Sequence, residues 1–142
     1  MANEVTVTTG DVRPGRGAVI QRAIAAEALA FGDVVYITGY SGDLPQVSKA
    51  DGTTIVKANL LGVVVAPSVA LAGSSVASGE ACDVVVRGPV TGFASMTSGN
   101  TIWVSDTSGR LSTVVGTKSG VVGLALTPAT VLVRPGLFVV SS

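Results

Sequence analysis

The chain has 142 residues, of which 47% are hydrophobic and only 13% charged, and its nine basic and nine acidic side chains cancel to a formal net charge of zero. That length fits one domain. A charge content about half of the roughly 25% typical of globular domains, without the net charge of about 2 to 8 that keeps a small domain soluble, describes an assembly component whose surface is largely covered by other protein. The chain has no His, which removes the commonest general base, the commonest metal ligand and the Ser-His and Cys-His nucleophile pairs, and so argues against an enzyme.

In chain order, residues 1–17 read as an extended N-terminal arm, with Val5, Val7 and Val12 set among Thr and Asn and then the run Arg-Pro-Gly-Arg-Gly, which no regular element tolerates. The arm is expected to bind a partner and not to join the core. Val5, Val7 and Val12 would add a strand to a neighbour's edge, and Arg13 and Arg16 would pair with its carboxylates. Residues 18–142 then form a single β domain, which deletion of residues 2–16 would leave folded. No basic and apolar leader is expected at the N-terminus. Residues 22–31, RAIAAEALAF, have the highest helix propensity in the chain. Their counterpart in the repeat described next, PVTGFASMTS, favours strand and turn, so a strand with a brief helical turn is expected.

The organising feature is a repeat. GDVVYITGYSGDL at 32–44 recurs as GNTIWVSDTSGRL at 99–111, LGVVVAP at 61–67 as VGLALTP at 122–128, and DVVVR at 83–87 as TVLVR at 130–134. The spacing between matched residues shrinks along the chain, so copy two (99–136) is a trimmed version of copy one (32–88). Each copy reads as a turn, a β-rich run and a Ser-Gly reversal. Strands are expected at 19–24, 34–38, 44–47, 55–56, 61–66, 83–86, 90–94, 101–105, 111–115, 121–126 and 130–134, with a final edge strand in the tail at 137–142. The fold class is therefore all-β, a small barrel or sandwich built from a duplicated strand-hairpin unit. Tyr36 and Trp103 occupy matched positions and are expected to face inward. Residues 66–79, rich in Ala, Ser and Gly and without a counterpart in copy two, are the expected surface loop.

Signals for chemistry are weak. Cys82 is a lone thiol that lacks a partner for a disulfide, a zinc site or a redox pair. Asp33, Asp43, Asp51, Asp83 and Asp106 lie beside Gly or at strand ends, where Asp caps and turns the chain. No cofactor, metal or small-molecule substrate is expected. Arg13, Arg16 and Arg22 make the N-terminal region locally basic, but a sequence pI of about 6.1 argues against nucleic acid. The longest apolar run, 60–73, is broken by Pro67 and Ser68 and is shorter than the roughly 20 residues a membrane helix needs.

An arm followed by G-D-x-V-Y at 32–36, S-G-x-L at 41–44, L-G-V-V at 61–64 and D-V-V-V-R-G at 83–88 resembles the capsid decoration (cement) proteins of tailed bacteriophages. Gly32, Asp33, Val35, Tyr36, the stretch 61–64 and the stretch 83–88 carry the resemblance. It implies a non-enzymatic β-barrel or β-tulip-like homotrimer. Such a protein is made in the host cytoplasm and sits on the exterior of the mature virion capsid. There it reinforces the shell by bridging subunits of the major capsid protein, with the N-terminal arm as anchor. A phage tail or fibre module that recognises a host surface is the alternative, although three Phe, two Tyr and one Trp are few rings for a ligand-binding tip.

Overall fold

The computed structural model describes residues 4–7, 12–65 and 75–138. Strand accounts for 57% of the chain and helix for 3%, as the Val-rich composition requires. In chain order the elements are β1 (Thr6–Val7), β2 (Arg13–Pro14), β3 (Val19–Ala25), β4 (Leu29–Ala30), β5 (Val34–Ser41), β6 (Leu44–Lys49), α1 (Ile55–Ala58), β7 (Gly62–Val65), β8 (Ser75–Val76), β9 (Ala81–Thr91), β10 (Phe93–Ala94), β11 (Thr101–Val104), β12 (Leu111–Ser112), β13 (Ser119–Thr127) and β14 (Thr130–Phe138).

Five strands close a barrel in the order β9, β3, β6, β5, β7, with β7 returning to β9. All neighbours are antiparallel except β3 and β6, which meet in parallel where Ile24 faces Gln46 and Ala25 faces Val47. So small a barrel leaves an interior that side chains must fill. Val34, Val35, Val47, Val63, Val64, Val84 and Val85 are fully buried, and since consecutive strand residues point to opposite faces, the barrel wall is packed on both sides, which explains why valine and not aromatic rings dominates the chain.

The sequence repeat is a structural repeat. Strands β6, β5, β7 and β9 stand side by side in copy one, and β12, β11, β13 and β14 stand in the same order in copy two. Main-chain hydrogen bonds repeat with the residues. The Gly32 N–H donates to Val64 O (2.7 Å) as that of Gly99 donates to Ala125 O (2.6 Å). Asp33 N–H donates to Ala30 O as Asn100 N–H donates to Thr97 O, both at 3.1 Å. Gly32 (φ 98°) and Gly99 (φ 88°) both occupy the left-handed region that this turn into the strand demands.

Copy two does not close on itself. Its β12 has two residues where β6 has six, because the Ser112 hydroxyl accepts from Val114 N–H (3.1 Å) and donates to Val114 O (2.8 Å). These bonds end the strand expected to run to 115 and leave Val114 and Val115 exposed. The N-terminal segment completes the second unit. Val5 N–H donates to Leu111 O (3.0 Å) and Glu4 bridges to Ser112; β1 pairs with β10, and β2 pairs with the far end of β9. In copy one, β8 covers β4 in the way that β1 covers β10 in copy two. The segment is thus extended, as expected. Its described residues are nevertheless part of the body, and Val5 and Val12 are buried in the core.

Several expected elements differ. Residues 55–56 are helical: the Thr54 hydroxyl caps α1 by accepting Lys57 N–H (3.2 Å), and the β-branched Ile55 and Val56 lie exposed outside any sheet. Residues 22–31 make no helical turn. Ala26 N–H donates to Val47 O (2.8 Å) and the Glu27 carboxylate accepts Lys49 N–H (3.0 Å), so the neighbouring strand takes the groups a helix would have used. The strand expected at 83–86 and the start of the one at 90–94 are one element, β9. Its first half belongs to the barrel and its last residues pair with β14. Of the loop expected at 66–79, only 75–79 are described, and β8 forms there. Ala66 and the tail beyond Phe138 also lie outside the described residues.

Tyr36 and Trp103 are equivalent, each standing opposite a serine, Ser48 and Ser112 respectively. Trp103 does not face inward: it lies between the buried Ile102 and Val104, so strand alternation points it outward, partly exposed; Tyr36 is partly buried and packs against the core. Trp103→Ala should therefore cost about 1 to 2 kcal/mol, less than the roughly 3 to 5 of a core aromatic truncation. Urea unfolding with an unchanged m value would check this.

Candidate functional site

Among the described residues, the buried thiol and the carboxylates between the two copies are employed in holding the fold. Burial first, and the adjacent Asp83 carboxylate second, push the Cys82 thiol up to about 11, so at neutral pH it is a small buried hydrophobe and not a nucleophile. Asp33, Asp51 and Asp106 line the seam between the two copies. Asp33 accepts Ala30 N–H (2.9 Å) and lies close enough to Gly109 that a β-carbon there would sit 3.0 Å from its oxygen. Burial pushes its carboxyl up, opposed by the Ala30 N–H, Lys49 and Arg110. Asp51 accepts from Thr53 N–H (3.0 Å), the Thr53 hydroxyl and the Ser108 hydroxyl (3.3 Å), with the Lys57 ammonium at 3.8 Å. Burial alone would raise it, but those bonds and Lys57 outweigh burial and hold its carboxyl below the ordinary range. Asp106 accepts from Thr117 N–H (2.9 Å) and its hydroxyl (2.7 Å). Main-chain bonds from Gly52 N–H to Ser105 O (2.8 Å) and from Gly109 N–H to Ala50 O (2.7 Å) run along the same seam. These carboxylates tie turns together, as their positions beside Gly suggested.

The five residues expected to meet a partner divide into two groups. Val5 and Val12 are buried in this chain's core. Val7 packs against it, so close to Gly32 that a β-carbon there would lie 2.7 Å from the valine methyl. All three serve the body. Arg13 and Arg16 are exposed and remain free to meet another molecule. The signal that could have placed the valines was the shortness of copy two: it has no counterpart to the 66–79 insertion that supplies β8, so a strand had to come from elsewhere.

Two surfaces escaped sequence reasoning. Ile37, Ile55, Val56, Asn59, Leu60 and Leu61 line a shallow depression of about 370 Å³, and Ile37, Ile55 and Val56 are each more than half exposed. Tyr40, 81% exposed, stands near the tip of the β5–β6 hairpin. Reading 55–56 as a strand hid this patch, since a strand would have buried one of the two side chains. The second surface surrounds the middle of β9, where the strand that carries Arg87 is flanked on one edge by the turn that carries Arg16 and on the other by the strand that carries Arg134; all three side chains are exposed.

No family model matches the chain, and no match was found among curated proteins or solved structures.

Proposed function

We propose that the protein is a non-enzymatic structural component of a phage virion, which binds the outside of the mature capsid as a homotrimer and stabilises the shell by bridging subunits of the major capsid protein. The observation that carries this is the contrast between interior and surface. The carboxylates of the seam and the one thiol are tied up in the fold, while large apolar side chains, Ile37, Ile55 and Val56 above all, stand in water around one depression. Exposed apolar patches on a small rigid body mark interaction sites, and a trimer that engages several such sites at once gains by avidity. Because the N-terminal valines are core residues, the contact surface moves from the arm to the body, and of the arm's expected contacts Arg13 and Arg16 stay exposed.

The test is cosedimentation with empty mature shells followed by electron microscopy. Density on the outer shell is expected, and Val56→Lys should weaken it without altering the melting temperature. Failure to bind shells would overturn the proposal. The exposed Tyr40 beside a hairpin tip favours one alternative, a tail or fibre module that recognises a host surface, and density on the tail would select it.

A further inference from the structure

Strands β2, β9 and β14 lie side by side, with Thr91 between Arg13 and Thr130, then Pro89 opposite Leu132 and Gly88 opposite Val133. Val90, Val131 and Val133 are fully buried on one face of this sheet. Strand alternation therefore puts Arg13, Arg87, Pro89, Leu132 and Arg134 on the other face, where the three arginines are exposed and Pro89 and Leu132 partly so. The turn that carries the exposed Arg16 is fastened to the edge of the same sheet by Gly15 N–H to Pro89 O (2.7 Å). Among the described residues none of these four arginines has a carboxylate partner; the ion pairs are Arg22 with Asp83 and Lys57 with Asp51.

The net charge of the chain is zero, so carboxylates that balance these arginines stand elsewhere. Two of them, Glu27 and Glu80, are exposed at the other end of β9. Glu80 precedes its first residue and accepts Ala25 N–H at its carbonyl (2.9 Å), and Glu27 follows two residues after Ala25. About 20 Å or more of strand separates this end from Arg87. That is about two Debye lengths at 0.1 M salt, so the two groups do not neutralise each other within one chain. The Glu27 carboxylate accepts Lys49 N–H and that of Glu80 accepts Ala77 N–H, which leaves each with lone pairs for a guanidinium. Around them Ala26, Ala28, Ala77 and Ala81 are exposed, and side chains so short let the carboxylates approach a flat sheet face.

We propose that this arginine face binds the end of a second copy of the chain that bears Glu27 and Glu80. The guanidinium forks suit carboxylates, and between them Pro89 and Leu132 meet the alanines. A nucleic acid would answer the arginines and leave the glutamates without a use, whereas self-association employs both. The two surfaces differ, so the contact is heterologous. Each copy gives its face to one neighbour and its end to the other, and such a contact closes into a ring where the rotation permits. It supplies the interface that the homotrimer of the proposed function needs, and it rests on that reading for the number of copies alone.

The test is sedimentation of the full chain. Complexes should form at 0.1 M salt and fall apart at 1 M, as the Debye length shrinks from about 10 Å to about 3 Å. Arg87→Glu with Arg134→Glu should weaken association at least about tenfold. Glu27→Gln with Glu80→Gln should do the same, although the new amide oxygens still accept the Lys49 and Ala77 N–H groups. Mixed in equal amounts, the two variants should form a one-to-one pair and stop there, because only one keeps the face and only the other keeps the end. Should Arg87→Glu with Arg134→Glu fail to fold, Arg87→Ala with Arg134→Ala replaces it and should show the same loss. A full chain that stays monomeric at 0.1 M salt, association indifferent to either pair of substitutions, or a mixture that forms no pair would overturn the proposal. So would a single-stranded DNA oligonucleotide that binds through these arginines while the chain stays monomeric, which makes the face a nucleic-acid surface. Shell binding is read separately. A chain that associates in this way but leaves empty mature shells bare overturns the capsid reading and not this contact, whereas a monomeric chain that decorates shells overturns the contact and not the binding to shells.

Discussion

Alanine at Gly123 or at Gly62 should unfold the protein or cost it about 4 kcal/mol or more, beyond the range of ordinary point mutants. A β-carbon on Gly123 would lie 1.8 Å from Leu132 O, and one on Gly62 would lie 2.0 Å from Val85 O. Both obstacles are main-chain atoms of the adjacent strand, so no rotamer change relieves them. Strands β13 and β14, or β7 and β9, would have to part. Each ladder hydrogen bond lost costs about 1 kcal/mol and the displaced packing about 1 to 3 more. The two sites are the same position in the repeat, since Gly62 matches Gly123 and Val85 matches Leu132. Gly62→Ala should do the greater damage, because β7 with β9 closes the barrel. Gly39→Ala is the control. There the new methyl meets only the flexible Gln46 side chain, at 3.3 Å, and should change stability by less than about 1 kcal/mol. Denaturant midpoints decide: a Gly123→Ala protein within about 1 kcal/mol of the parent would show that the strands do not approach so closely.

The part of this fold that was legible in the sequence was the part written twice. A Gly that must turn the chain, a run that must pleat and a Gly that must admit a neighbouring carbonyl impose the same residues in both copies. Gly32 with Gly99 and Gly62 with Gly123 therefore announced the four-strand unit before any coordinates. What was illegible is what the copies do not share. Thr6–Val7 and Arg13–Pro14 form two-residue strands among Thr, Gly and Pro, with no periodicity of their own. They are ordered by pairing with β10 and with the far end of β9, a tertiary cause that local composition does not record. Ile55 and Val56 show the same limit in reverse, their β propensity overridden by the Thr54 cap. The surface around Arg16, Arg87 and Arg134 was scattered along the chain and is brought together only by the register of β9.

Deletion of residues 2–16 should destroy the fold and not merely weaken binding. It removes Val5 and Val12, both buried, together with the half-buried Val7 that covers Gly32. Burying a valine contributes about 1.5 to 3 kcal/mol, so the two buried residues alone account for about 3 to 6 kcal/mol. A domain of this size has a total stability of about 5 to 15 kcal/mol. The deletion also strips the pairing partners from β10 and from the Leu111–Ser112 edge, exposing Phe93 and opening the second unit to aggregation. The truncated chain should be insoluble or lack a cooperative melt, whereas Arg13→Ala with Arg16→Ala, both at the surface, should stay within about 0.5 kcal/mol of the parent for each substitution. Val12→Ala should fall between them, at about 2 kcal/mol. Because the segment acts as a strand that fills a gap, a peptide of residues 2–16 supplied in trans should restore a cooperative melt to the truncated chain. If the truncated protein melts with the parent's midpoint and cooperativity, the N-terminal valines do not belong to the core, and the second unit must close by some other strand.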